Sequence, residues 1–216
     1  MSKIWMSLVA LLLAAAIGAA VPARAQEGVP VPSANDISLG KEDAPITIFE
    51  YGSLDCPHCA EFDETTLPKI KANWIDTGKA RLVFRDFPLS GAAIIAAMAA
   101  HCAPKEQFYG FVDVLFRNQT TWGHYEQRDP QVRSQMAQAS LAKLVKIGGM
   151  SDETFNKCMA DDALRKRIID VAFEGKEKFG IESTPTFFIN GVKFVGAQPY
   201  EEFAKALAEA ESKAKS

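Results

Sequence analysis

The chain has 216 residues, of which 48% are hydrophobic and 24% charged, with a formal net charge of −3 and four cysteines. A mildly acidic chain with no basic stripe is a poor partner for nucleic acid, whose phosphates call for clustered Lys and Arg. An even number of cysteines permits two disulfides in an oxidising compartment.

The first residues read as an address. Lys3 precedes an apolar run from Leu8 to Ala20, and Ala23-Arg24-Ala25 offers a small-x-small cleavage site. The pattern predicts an export signal over residues 1–25. The run is short for a membrane span, which takes ~20 apolar residues; an uncleaved anchor is the alternative. Cleavage after Ala25 would leave 191 of the 216 residues and, with Lys3 and Arg24 gone, move the net charge from −3 to −5. That length suits one domain, or one domain with an insertion, and the mature chain is expected to be soluble and exported.

Residues 26–36, with Pro30 and Pro32, read as a flexible arm. Ile37 to Leu39 is expected as a short edge strand before a turn at Gly40, and Ile46 to Tyr51 as a central strand. Its β-branched and aromatic residues lack strict alternation, which suggests burial on both faces. Glu50 sits inside that strand, six residues before Cys56. A buried carboxylate is costly without a task, so Glu50 is either a partly buried proton relay with a raised pKa or a strand-end residue turned to water.

Cys56-Pro57-His58-Cys59 follows the strand. Pro57 suits a first helical turn, because its missing N–H would have had no partner there and its φ is already helical. Cys56 then lies at a helix N-terminus, where free N–H groups and the dipole favour the thiolate, the nucleophilic form. A protonated His58 would add to the effect. Cys59, three residues on, shares the helical face and is placed to close or resolve a disulfide. Half of a zinc site is one alternative, but such a site takes four ligands. Cys102 and Cys158 are isolated, and His58, His101 and His124 form no H-x-x-x-H pair. A purely structural disulfide is the other, and so small a ring stabilises a fold little. The four residues are read as a redox centre, with no cofactor and no metal.

Pro68 marks a kink or restart, Ile70 to Ile75 a second amphipathic piece, and Ala80 to Phe87 a strand closed by Pro88. Strand, helix and strand in so short a span predict a parallel βαβ pairing. A helical stretch follows: Ala92 to His101, Phe108 to Phe116 with apolar residues three and four apart, Gln131 to Ile147 ended by Gly148-Gly149, a helix capped by Ser151 that carries Cys158, and Leu164 to Phe179. The chain then returns to β, with Thr184 to Ile189 leading into a strand. Asn190-Gly191 is a type I′ hairpin signal, Val192 to Val195 the returning strand, and Tyr200 to Lys213 a closing helix.

The Cys56-Pro57-His58-Cys59 centre, the proline of Thr184-Pro185-Thr186, and the hairpin with its terminal helix resemble the thioredoxin superfamily. The helical insertion narrows the resemblance to the DsbA family of exported disulfide oxidoreductases, over about Ile37 to Leu207. The fold it implies is α/β, a thioredoxin fold with an inserted helical subdomain: residues 37–90 and 179–216 as the two halves and 91–178 as the insertion. It implies that Cys56 is the exposed attacking cysteine and Cys59 the resolving one, that Pro185 is cis, that Thr184 faces the disulfide, that Thr184 and Pro185 help bind substrate, and that Asn118-Gln119 to Trp122-Gly123 forms a hairpin and Gly-containing return. It also favours the relay role for Glu50. Cys102 and Cys158 depart from the simplest family pattern. Some relatives carry a second pair, which suggests a structural disulfide here, with buried free thiols as the alternative.

The expected function is that of a periplasmic thiol:disulfide oxidoreductase, a monomer, that introduces disulfides into exported proteins through a mixed disulfide at Cys56. By the same resemblance, a quinone-linked membrane partner of the DsbB type reoxidises it. The rivals are a reductase or isomerase kept reduced by another donor, and a dithiol that sequesters Cu(I).

Overall fold

The computed structural model describes residues 28–214; the expected export signal and the first two residues of the arm lie outside the described residues. The sheet is mixed and five-stranded in the order β1-β3-β2-β4-β5, with β1 at Ser38–Leu39, β2 at Ile46–Gly52, β3 at Ala80–Asp86, β4 at Thr186–Ile189 and β5 at Val192–Val195. β2 pairs parallel with β3 and antiparallel with β4, so the expected βαβ unit is present. Asn190 and Gly191, both at positive φ, turn β4 into β5, as a type I′ hairpin requires.

β2 is covered on both faces, and the pleat sorts its side chains. Ile46 and Ile48 join Phe62, Ile70, Phe187 and Phe203 on one face, while Phe49 and Tyr51 join Phe179, Ile181 and Phe188 on the other. Alternation puts Glu50 on the Ile46–Ile48 side, beneath the helix that carries the cysteines. Gly52 leaves the room this needs: a Cβ there would lie 2.6 Å from the Phe84 ring and 3.1 Å from Glu50 Oε1.

That helix is α1 (Pro57–Glu61), continued through a π-helical turn at Phe62–Thr66 into α2 (Leu67–Ile70) and a second π-turn at Lys71–Ile75. Pro68 has no N–H to give to the turn before it, and the register slips there, with Leu67 N–H bonding Phe62 O, five residues back. The expected kink is therefore a change of helical pitch.

Between β3 and β4 the described chain is helical: α3 (Gly91–His101), α4 (Phe108–Arg117), α5 (Gln119–Trp122), α6 (Pro130–Ile147), α7 (Asp152–Met159) and α8 (Asp162–Phe179). Side chains of Ser90, Asp129, Ser151 and Asp161 cap α3, α6, α7 and α8, and Gly180 in the left-handed region ends α8. Where the resemblance implies a hairpin over Asn118–Gly123, the chain forms helix α5 at Gln119–Trp122. Trp122 explains the difference, because its fully buried indole donates to Leu115 O at 2.8 Å and folds the segment back on α4. α9 (Tyr200–Ala214) closes the chain, with Phe203 and Leu207 against the sheet.

Cys102, just past α3, and Cys158, in α7, are disulfide-bonded, with Cα atoms 6.0 Å apart and a sequence separation of 56. A loop of that length is stabilised by about 4 kcal/mol through restriction of the unfolded chain. The Cys102→Ala/Cys158→Ala double variant is expected to lose stability of that order in denaturant unfolding. An unchanged midpoint would show that the bond does not hold the helices together.

Candidate functional site

Ser53, Leu54 and Asp55 link β2 to the cysteine helix, and Cys56 forms its N-cap with an extended backbone (φ −87°, ψ 119°). Pro57 fills the first helical position. The loop is closed by Cys56 N–H donating to Ser53 O at 2.9 Å. Both cysteines are thiols in this structure.

The two sulfurs sit in opposite environments. The hydrogen bond from Cys59 lowers the Cys56 pKa most, burial opposes it, and the Thr184 side chain and the backbone N–H groups of Cys59 and His58 lower it further, to about 6. Cys59 is fully buried, and burial first, then its bond to Cys56 and the charges of Glu50 and Cys56, push its thiol well above the usual range. One sulfur is thus set to be a thiolate and the other to keep its proton.

Glu50 lies beneath them, 2% exposed, with Oε1 buried and without a partner in the protein. Burial, then the charges of Asp63 and Cys56, raise its pKa well above the carboxylate range. Asp63, on the π-turn, is raised to about 7 by burial and by Asp113. Asp113 in turn accepts from Arg117 Nε at 2.8 Å.

The Thr184–Pro185 peptide is cis. Cys56 Sγ lies 3.4 Å from Thr184 O, and the Thr184 hydroxyl is buried with no partner while Cys56 is a thiol. The chain thus brings Cys56, Cys59, Glu50, Thr184 and Pro185 together. Two expectations need correction. Cys56 is not an exposed residue: it is 4% exposed, because the Thr184 carbonyl and the buried Gln119 side chain pack over its loop. The His58 ring points away, with its side chain 74% exposed and Nδ1 3.2 Å from Glu61 Oε2. It is the His58 backbone N–H that acts on the thiolate.

Other residues hold the loop without any signal in the sequence. Gln119 Nε2 donates to Leu54 O at 2.7 Å and to Cys56 O at 3.0 Å. Tyr125 OH donates to Asp55 O at 3.1 Å. The Asp55 carboxylate accepts from Ser53 Oγ and Ser90 Oγ, both at 2.6 Å, and from Arg133 Nη2 at 3.2 Å. These partners come from a loop, α5, the start of α3 and α6, and no spacing rule links them. Among the described residues no three His, Cys, Asp or Glu side chains converge as a metal site would require.

Glu50 makes stability depend on pH with a defined sign. Its unfolded carboxyl ionises near ~4.3 while the folded one stays protonated. Between those two values the native state binds the extra proton, and stability falls as pH rises. Glu50→Leu is expected to stabilise the reduced protein by ~1–3 kcal/mol, with a larger gain at pH 7.5 than at pH 5. Denaturant unfolding at the two pH values checks this; a less stable variant, or a gain independent of pH, would contradict it.

Known proteins are similar to this chain. A family model described as Thioredoxin matches residues 33–209. A Rickettsia bellii protein whose name carries the words protein-disulfide oxidoreductase is 32% identical over 161 residues, 74% of this chain, and this chain spans 58% of that relative's length. The disulfide bond formation protein D of Bacillus subtilis is 26% identical over 173 residues, 78% of this chain and 74% of its own length. The crystal structure of Wolbachia pipientis alpha-DsbA1 superposes with a TM-score of 0.75 at 32% identity, covering 85% of this chain and 94% of that one.

Proposed function

We propose that this chain, which belongs to the DsbA family of the thioredoxin superfamily, is a protein thiol:disulfide oxidoreductase acting in the oxidising direction. The observation that carries the reading is the opposed placement of the two sulfurs: Cys56 at the open N-terminus of α1, where the Cys59 thiol and the backbone N–H groups lower its pKa to about 6, and Cys59 fully buried, which raises its own. Stabilising the thiolate favours the reduced enzyme, and that makes its disulfide the stronger oxidant.

In the proposed cycle a substrate thiolate attacks Cys56 of the oxidised centre. The Cys56–Cys59 bond breaks, a mixed disulfide forms at Cys56, and Cys59 leaves with the electron pair and takes a proton. Glu50, neutral and beneath it, is the proposed donor of that proton. A second substrate thiolate then attacks the substrate sulfur of the mixed disulfide, and Cys56 departs as the thiolate for which its surroundings are built. Two electrons pass to the enzyme and the substrate leaves with a disulfide. Thr184 is the proposed contact with the substrate chain, since its carbonyl and its unpartnered hydroxyl both lie against Cys56. Pro57 holds the helix start, and His58 contributes through its backbone.

The proposed setting is the periplasm, where the signal-like residues 1–25 would direct the chain and an oxidising poise would keep the Cys102–Cys158 bond. The proposed substrates are exported proteins with free thiols, the proposed reoxidant a DsbB-type membrane partner, and the proposed working form a monomer.

The test uses an oxidised full-length chain and a reduced, unfolded protein containing paired cysteines. The wild type is expected to become reduced as the substrate gains disulfides, one pair per turnover. Cys59→Ser treated with an activated disulfide of the substrate is expected to trap a mixed disulfide at Cys56, and Cys56→Ser to be inactive. Adduct formation on Cys56→Ser but not on Cys59→Ser, or faster reduction of substrate disulfides than oxidation of thiols, would overturn the reading.

A further inference from the structure

Asp55 is a buried acid that directly precedes the thiolate-forming cysteine. A negative charge at that position works against a second one on Cys56, and a buried carboxylate is tolerated only when paired and fully hydrogen-bonded. Asp55 meets both conditions. Its oxygens take the Ser53 and Ser90 hydroxyls, and Arg133 reaches across from α6 to complete the set.

Arg133 is itself fixed. Its Nε donates to Gly123 O at 2.7 Å, its guanidinium lies 5.0 Å from the centre of the Tyr125 ring, and its side chain is 18% exposed. Tyr125 closes the ring by donating to Asp55 O. Ser90 is also the N-cap of α3, accepting from Ala93 N–H at 3.1 Å. One carboxylate therefore joins the cysteine loop, the start of α3 and the first turn of α6.

We propose that the Arg133–Asp55 ion pair is the positioning device of the redox centre: it locks the loop that carries Cys56 and cancels the acid's charge beside the thiolate. The inference rests on the reading of Cys56 as the attacking thiolate. Among the described residues, the ionisable groups that act with Cys56 include Glu50 and Cys59 from beneath and Tyr125 from the flank. None of these three carries a positive charge, and the solvent-exposed His58 ring pairs with Glu61, so Arg133 is the cation fixed on the Cys56 loop. Because Arg133 belongs to α6, a shift of that helix would alter how strongly the centre oxidises. The helical segment is thereby electrically coupled to the chemistry.

The charge argument and a merely structural clamp predict different signs. Loss of a clamp frees the loop, and either single variant would raise the Cys56 pKa. Loss of one charge moves it in opposite directions. For the full-length protein, the thiolate absorbance near 240 nm is followed against pH, and the equilibrium with glutathione is measured alongside. Arg133→Met is expected to raise the Cys56 midpoint by about one unit, and Asp55→Asn, nearly isosteric, to lower it by about half to one unit. Arg133→Lys should stay near the wild type, and the double variant Asp55→Asn/Arg133→Met should return between the singles. The glutathione equilibrium should follow, with Arg133→Met up to about tenfold less oxidising.

Shifts of the two singles in the same direction, or none in either, would overturn the inference. If Arg133→Met does not fold, Asp55→Asn decides, since any result other than a lowered midpoint contradicts the charge argument. A wild-type midpoint near the free-thiol value of ~8.5 would instead overturn the reading of Cys56 itself and take this inference with it.

Discussion

Cys56 and Cys59 lie three residues apart on one short helix and prefer opposite protonation states. A thiolate needs donors and positive potential, whereas a thiol that must keep its proton needs burial. The fold supplies both within a single turn: Cys56 ends the loop at the open N–H groups of α1, and Cys59 is fully buried in the core that includes Phe84 of β3 and residues of the inserted helices. The hydrogen bond between them reinforces the split, because the donor that stabilises one sulfur is the proton retained by the other.

The rest of the structure serves that asymmetry from three directions. The sheet contributes Glu50, placed beneath Cys59 by the pleat of β2 and given space by the missing side chain of Gly52. The loop before β4 contributes Thr184, whose buried hydroxyl has no partner until the thiolate forms. The helices between β3 and β4 contribute Gln119, Tyr125 and Arg133, which hold the backbone and charge of the residues just before Cys56.

What could be read in the sequence divides along the range of the interactions. Strands β2 and β3, the start of α1 at Pro57, the Asn190-Gly191 hairpin and the capped ends of α7 and α8 are encoded within a few residues of themselves, and pattern reasoning reaches them. Glu50 was half legible: its position in an apolar strand raised the question, and only the three-dimensional pleat says which side it faces. The hairpin that the resemblance implies over 118–123 is absent because the buried Trp122 indole, bonded to Leu115 O seven residues back, folds the segment into a short helix on α4. Asp55, Gln119, Tyr125 and Arg133 were invisible, since each gains its meaning from a partner 60 or more residues away or from an element with no shared spacing. The exposure expected of Cys56 failed for the same reason, as its cover comes from distant segments of the chain.

The most direct test of the whole account is the reduction potential of the Cys56–Cys59 pair, by equilibrating the full-length protein against glutathione buffers and separating the redox forms. A thiolate favoured as strongly as the surroundings of Cys56 imply predicts a potential well above the thioredoxin value of about −270 mV. A potential at or below that value would mean that the disulfide, not the dithiol, is the stabilised form, and would contradict an oxidase built on the Cys56 thiolate.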